Sequence, residues 1–154
     1  MDMGFSARSL LALCATFACG VSPAFSAPVR YYSGGDGLPF SEAVQVGDML
    51  LLAGQIGVAP GAKSVVPGGI EAEARQAMEN IGGILKRRGL TFDAVVKCTV
   101  MLSDIKDWPA FNTVYVGYFK PDRMPARSAF AASGLAYNGK VEVECWAHSP
   151  AKQR

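Results

Sequence analysis

The sequence predicts a two-layer α+β domain with its helices on one face of a sheet. Short apolar or alternating runs read as strands, and two stretches with apolar residues every three or four positions read as amphipathic helices. The two kinds succeed one another in the order β-β-α-β-α-β-β. Each helix then joins strands and offers one apolar stripe to a shared sheet.

The chain has 154 residues, enough for one domain with a real core. Its first 26 residues read as a separate segment. Arg8 supplies a positive start, and Leu10-Leu11-Ala12-Leu13 opens an apolar run too short to span a bilayer comfortably. Ala24 and Ser26 then place small residues at −3 and −1 of a cut after Ser26. The pattern is that of a secretory signal peptide, with residues 27–154 as the mature domain, periplasmic or secreted and free of the membrane after cleavage.

The first strands are expected at Ser41–Val46 and at residues 49–54, around a Gly47-Asp48 turn. Leu50-Leu51-Leu52-Ala53 is continuously apolar, which predicts cover on both faces. Residues 58–69 carry three Gly and two Pro and read as a loop. A helix follows over 70–88, with Ile70, Ala74, Ala77, Met78, Ile81, Ile84 and Leu85 on one face. Glu71 and Glu73 near its start and Lys86, Arg87 and Arg88 near its end complement the helix dipole, and Gly89 is the expected stop. Residues 95–103 are rich in β-branched residues and read as a strand. Asp107 is expected to cap the second helix, with Pro109 in its first turn and Phe111, Val114, Tyr115 and Tyr118 as its stripe. Ala126–Ala131 and residues 140–148 complete the strands, with a loop around Asn138-Gly139. Strand residues alternate between faces, so Leu50, Leu52, Thr99, Met101 and Val143 cannot all lie under the helices. The second sheet face is therefore partly apolar, and self-association is expected.

The formal charge is +2, and Asp2 and Arg8 of the leader cancel, so the mature part keeps it. That is too weak a field to mark a nucleic-acid binder. Cys14 and Cys19 lie in the leader, while Cys98 and Cys145 fall inside expected strands. These two can pair in an oxidising compartment if their strands adjoin. The favoured reading is two separate buried thiols packing as small hydrophobes. With His148 as the single histidine, at the end of the last strand and read as a surface residue, there is no metal-ligand spacing.

Charge in an ordered context is concentrated in Pro125-Ala126-Arg127-Ser128 and in the alternating run Val141-Glu142-Val143-Glu144. Read as neighbouring strands, they place a fixed cation near a carboxylate, which suits a small carboxylic acid. An ion pair pinning two strands is the structural alternative.

These motifs belong to a longer series: Gly54-Gln55-Ile56, Ala74-Arg75-Gln76-Ala77-Met78-Glu79-Asn80-Ile81, Val96-Lys97-Cys98-Thr99-Val100, and Asn112 with Tyr115 and Phe119. In this order and spacing, from about Leu38 to about His148, the chain resembles the reactive intermediate deaminase (RidA/YjgF) family. The resemblance implies a chorismate-mutase-like fold and a homotrimer with a central barrel and three intersubunit clefts. It further implies hydrolysis of 2-imino or enamine carboxylic acids to 2-keto acids and ammonia, without metal or cofactor. Arg127 would clamp the carboxylate and Glu144 would position and polarise water. Phe40, Ala53, Gly54, Asn112 and Ala129 would line the cleft, and Glu142 would be a second acid or an intersubunit ion-pair partner. An RNA-cleaving role, attached to some relatives, fits poorly with the modest charge, the single histidine and the export signal.

This chain departs from the family pattern at several points. Phe40 stands where Tyr is usual, Ala53 where Ser is frequent, Ala129 where Cys is frequent, and Gly57 where Pro often follows Gln-Ile. The first two remove hydroxyls, each worth about 1 kcal/mol as a neutral hydrogen bond. A non-catalytic carboxylate-binding member of the same fold is the alternative that these losses suggest.

Overall fold

The computed structural model describes residues 28–35 and 37–150; the expected leader, residues 1–26, lies outside them. Among the described residues the strands are β1 (Arg30–Ser33), β2 (Ser41–Val46), β3 (Met49–Leu52), β4 (Gln55–Ile56), β5 (Val95–Leu102), β6 (Ala126–Ala131) and β7 (Val141–His148). The helices are α1 (Gly69–Arg87) and α2 (Trp108–Tyr115), the latter running on into a 3-10 turn over Val116–Tyr118. The α+β class and each expected element are present. Two strands were not foreseen. β1 is four residues long, and β4 is separated from β3 by a break at Ala53-Gly54.

The sheet order is β1-β2-β3-β7-β5-β6, with β4 pairing the start of β7 on the edge where β3 pairs its end. β5 and β7 run antiparallel, whereas β5 and β6 are parallel, joined by the α2 crossover. Alternation sorts the side chains. Leu50, Leu52, Cys98, Val100, Leu102, Val141, Val143 and Cys145 are buried on the helix side against Ala74, Ala77, Met78, Ile81, Leu85 and Phe111. Leu51, Thr99 and Met101 face the other way and stay half-buried, so the run at Leu50-Leu51-Leu52 is covered on one face within the chain. Tyr31, Val46, Phe130 and Trp146 are exposed on that open face, as the register to Val44, Met49, Met101 and Leu51 requires.

α1 ends as the sequence predicts. Leu90 N–H donates to Leu85 O and Gly89 N–H to Lys86 O, a Schellman close. The basic residues there do more than complement the dipole. Arg87 Nη2 and Arg88 Nη2 both donate to the Glu42 carboxylate, at 2.7 and 2.8 Å, and the Arg88 guanidinium lies 3.7 Å from the Tyr32 ring centroid. The start of α2 differs from expectation. Asp107 makes no capping bond. The chain already turns at Ile105, where the Asp104 carboxylate accepts from Lys106 N–H, so Asp107 has helical geometry and its carboxylate turns to Lys140 Nζ instead.

The cysteines also differ from the favoured reading of separate thiols. Cys98 and Cys145 are directly opposed on adjacent antiparallel strands and form a disulfide, with Cα atoms 4.1 Å apart. Sequence did not reveal that β5 and β7 are neighbours, because β6 and a long loop intervene in the chain. The bond closes a segment with a sequence separation of 47. By loop-closure entropy that constraint is worth about 4 kcal/mol. Urea unfolding of the protein is expected to show a loss of about this size in Cys98→Ala/Cys145→Ala, or on reduction, with a steeper slope because the unlinked unfolded chain exposes more surface. Equal midpoints with and without reductant would show that the bond contributes nothing.

Candidate active site

The site residues expected from sequence fall into two groups. Arg127, Asn112 and Ala129 form the first. Arg127 lies on β6, an edge strand, and is in register with Cys98 on β5 and through it with Cys145 on β7. Residues in one such row share a face, so Arg127 points to the helix side, toward α2. Its Nη1 donates to Asn112 Oδ1 at 2.8 Å. Its guanidinium carbon lies 4.7 Å from the Tyr115 ring centroid, 5.5 Å from Trp108 and 6.0 Å from Phe111. Trp108, Phe111, Asn112 and Tyr115 succeed one another at helical spacing and form one continuous bed for the cation. Ala129, two residues on, is half-buried on the same side.

Among the described residues Arg127 forms no ion pair. Its position is held by a neutral amide and by π faces, and its remaining N–H donors are unused by any described side chain. A groove of about 290 Å³ opens beside it, lined by Tyr115, Val116, Met124, Pro125 and Arg127. Tyr115 is 3% exposed, and burial pushes its hydroxyl up to about 12 despite the nearby Arg127 charge. It is therefore a neutral phenol at any physiological pH. Its oxygen has no hydrogen-bond partner among the described residues.

The second group lies around the β3–β4 break and on the open face of β7. Glu144 is opposite Thr99 and accepts from Trp146 Nε1 at 3.1 Å. Glu142 is opposite Ile56 of β4 and packs onto Gly54 so closely that a Cβ there would collide with its carboxylate. Glycine at position 54 is thus a requirement of that contact. Burial, reinforced by the charge of Glu144, raises the Glu142 carboxyl above its ordinary value. Ala53 is half-buried beside the break, and Phe40 stands exposed just before β2.

The reading of Arg127 and Glu144 as residues of neighbouring strands is corrected here. β5 lies between β6 and β7, so the two backbones are about 10 Å apart, two strand spacings. Their side chains leave opposite faces of the sheet, which also removes the strand-pinning ion pair. The sequence could not show this, because β6 and β7 are consecutive in the chain yet not adjacent in the sheet. It also left the aromatic bed under Arg127 unassigned, reading Phe111 and Tyr115 as an apolar stripe and giving Trp108 no role. The helical spacing of Trp108, Asn112 and Tyr115 was the available signal.

A mixed sheet with two helices on one face, and an edge-strand arginine that makes no ion pair among the described residues, defines an α+β domain with a candidate site at that arginine. Comparisons with known proteins make this specific. Residues 37–149 match the family described as Endoribonuclease L-PSP. A 2-iminobutanoate/2-iminopropanoate deaminase of Capra hircus is 46% identical over 106 residues, covering 69% of this chain and 77% of that protein. The Homo sapiens protein of the same name is 42% identical over 106 residues, with the same shares. The crystal structure of RidA from the Antarctic bacterium Psychrobacter sp. PAMC 21119 matches 74% of this chain and 91% of its own, at 32% identity and a TM-score of 0.69. Yeast Mmf1 matches at 29% identity and a TM-score of 0.73, covering 79% and 99%. The chain belongs to the reactive intermediate deaminase (RidA/YjgF) family.

The electrostatics of Glu142 generate a prediction. A carboxyl raised in the folded state favours folding when protonated and opposes it when ionised. Its destabilising contribution is absent below the ordinary value of 4.5 and grows as pH rises from there through the folded-state value. Glu142→Gln is expected to raise the melting temperature at pH 7 and to leave it unchanged near pH 4. An equal shift at both pH values would show that ionisation of Glu142 carries no penalty.

Proposed function

We propose that this protein hydrolyses 2-imino or enamine carboxylic acids to 2-keto acids and ammonia. The observation that carries the reading is the uncompensated Arg127, held by Asn112 and three aromatic rings with donors to spare. A carboxylate placed there takes two parallel N–H donors, an interaction worth roughly 1.5–3 kcal/mol. The names of the relatives support imine deamination as the reaction class.

The chemistry needs little beyond orientation and a proton relay. Water adds to the imine carbon, and its proton passes to the nitrogen. The resulting carbinolamine expels ammonia and leaves the keto acid, with no redox change. Glu142 and Glu144 are the acids for this relay. Glu144, held by Trp146, is suited to position the water. Glu142, with its raised proton affinity and its packing on Gly54, is suited to carry the proton from water to the leaving nitrogen.

In one chain these acids lie on the face opposite Arg127. The reading therefore includes a homotrimer in which the open sheet faces form a central barrel and one copy's Arg127 meets the acids of the next. The exposed Tyr31, Val46, Phe130 and Trp146 support that face as the contact. The leader pattern, together with a buried disulfide, supports a periplasmic or secreted location.

A second reading, carboxylate binding without turnover, is favoured by the missing hydroxyls at Phe40 and Ala53. An amino-acid oxidase generating imino acids in situ separates the two. The protein is expected to accelerate keto-acid release, and Arg127→Ala to lose about ten- to hundredfold in kcat/KM. Arg127→Lys, which keeps the charge and loses the planar fork, is expected to fall between. Saturable keto-acid binding without acceleration would select the binding module. Unchanged turnover in Arg127→Ala would remove the clamp.

A further inference from the structure

The polar side chains of α1 that face the sheet have no part in the reaction described above. Glu73 is 4% exposed, a depth at which a helix is ordinarily served by an apolar residue. Its Oε2 accepts Lys140 N–H at 2.6 Å, one residue before β7 begins. The same residue supports the opposite flank. A Cβ on Gly57 would fall 2.6 Å from Glu73 Cα and Cβ, so the backbone just after β4 lies flat on Glu73. One turn or two further along α1, Asn80 Nδ2 donates to Ile56 O at 3.1 Å and to Val58 O at 2.9 Å, and Gln76 holds its amide at 2.9 Å.

Both flanks lead to one place. Ile56 of β4 is the cross-strand partner of Glu142, and Lys140 precedes Glu142 by two residues. The approach to β7 is also under strain. Tyr137 and Asn138 both adopt left-handed backbone, with φ of 56° and 52°. Such a conformation persists only where its surroundings hold it. Here Lys140 is held three ways: N–H to Glu73, carbonyl from Ser103 N–H at 3.0 Å, and Nζ toward Asp107 at 3.5 Å.

We propose that Glu73 is a positioning residue for Glu142, fixing the start of β7 through Lys140 N–H and the end of β4 through Gly57 so that the Glu142 carboxylate is pressed onto Gly54. The inference rests on the proposed function for its effect on turnover, but its geometry does not. An acceptor oxygen at that reach is what the clamp requires, and charge is not. Glu73→Gln keeps the oxygen, Glu73→Asp draws it back by one methylene, and Glu73→Ala removes it.

Turnover of oxidase-generated imino acids, keto-acid binding by calorimetry, and titration of the Glu142 side-chain carboxyl by carbon NMR test this together. Glu73→Ala and Glu73→Asp are expected to lower kcat by about ten- to a hundredfold, as for a displacement of about 1 Å. They should leave keto-acid affinity at Arg127 within about twofold. The Glu142 titration should fall toward its ordinary value in both. Glu73→Gln should restore all three readouts. Should Glu73→Ala not fold, the Asp and Gln variants carry the comparison. Should the wild type turn over no imino acid, the proposed function fails, and the Glu142 titration alone decides this inference. An unmoved Glu142 titration in folded Glu73→Asp, or a Gln variant as impaired as the Ala variant, overturns it.

Discussion

The strand pair β5–β7 sets the rest of the molecule. Its facing rows of Cys98, Val100 and Leu102 against Cys145, Val143 and Val141 are fully buried and supply the floor on which both helices pack. Because the pleat alternates strictly, burying that row commits Thr99, Met101, Glu142 and Glu144 to the opposite face. Placing β6 beyond β5 in parallel register then commits Arg127 to the helix side. Core packing thereby decides where the functional charges point, and a register slip of one residue would exchange them.

This explains how an arginine remains stable without a carboxylate partner. The guanidinium is flat and weakly hydrated, so aromatic faces can shield it where an ammonium would be poorly accommodated. Asn112 removes one donor from water without neutralising charge. A carboxylate in the place of Asn112 would make a tighter native contact and would occupy the donors that an incoming anion needs. On the proposed function, the arrangement gives up some native stability for an open coordination position, as binding sites on rigid scaffolds commonly do.

Much of this was legible in the chain. The 3.6-residue period of Ala74, Ala77, Met78, Ile81, Ile84 and Leu85 located α1, and alternation located β7, because both patterns record burial on one side. The cation at Arg127 and the acids at Glu142 and Glu144 stood out for the complementary reason, as charge within ordered context. Adjacency was not legible. Sequence order suggested β6 beside β7, and the structure inserts β5. The same blind spot hid the Cys98–Cys145 bond, whose partners are 47 residues apart in sequence. Dual-purpose residues were also obscured. Phe111 and Tyr115 satisfy the pattern of a core stripe while serving as a bed for Arg127, and Glu73 looked like a dipole charge while acting as a buried acceptor.

The two charged groups are each incomplete, and in opposite senses. Arg127 is a cation without a counterion among the described residues, on the helix side of an edge strand. Glu142 and Glu144 are like charges two residues apart on the open face, where burial, reinforced by the charge of Glu144, raises the proton affinity of Glu142. Within one chain neither can relieve the other, since a sheet lies between them. In the proposed trimer, a copy rotated so that its β6 edge meets the open face of the next would relieve both at once, and closure of that rotation would satisfy every copy in a ring. The proposed cleft is then a place where cation and acids approach without touching. A substrate that is an anion at one end and a basic imine at the other fits that polarity, with its carboxylate toward Arg127 and its nitrogen toward Glu142. In that proposed cleft a simple carboxylate would satisfy only the first half, so binding would need Arg127 of one copy and turnover the acids of the next as well.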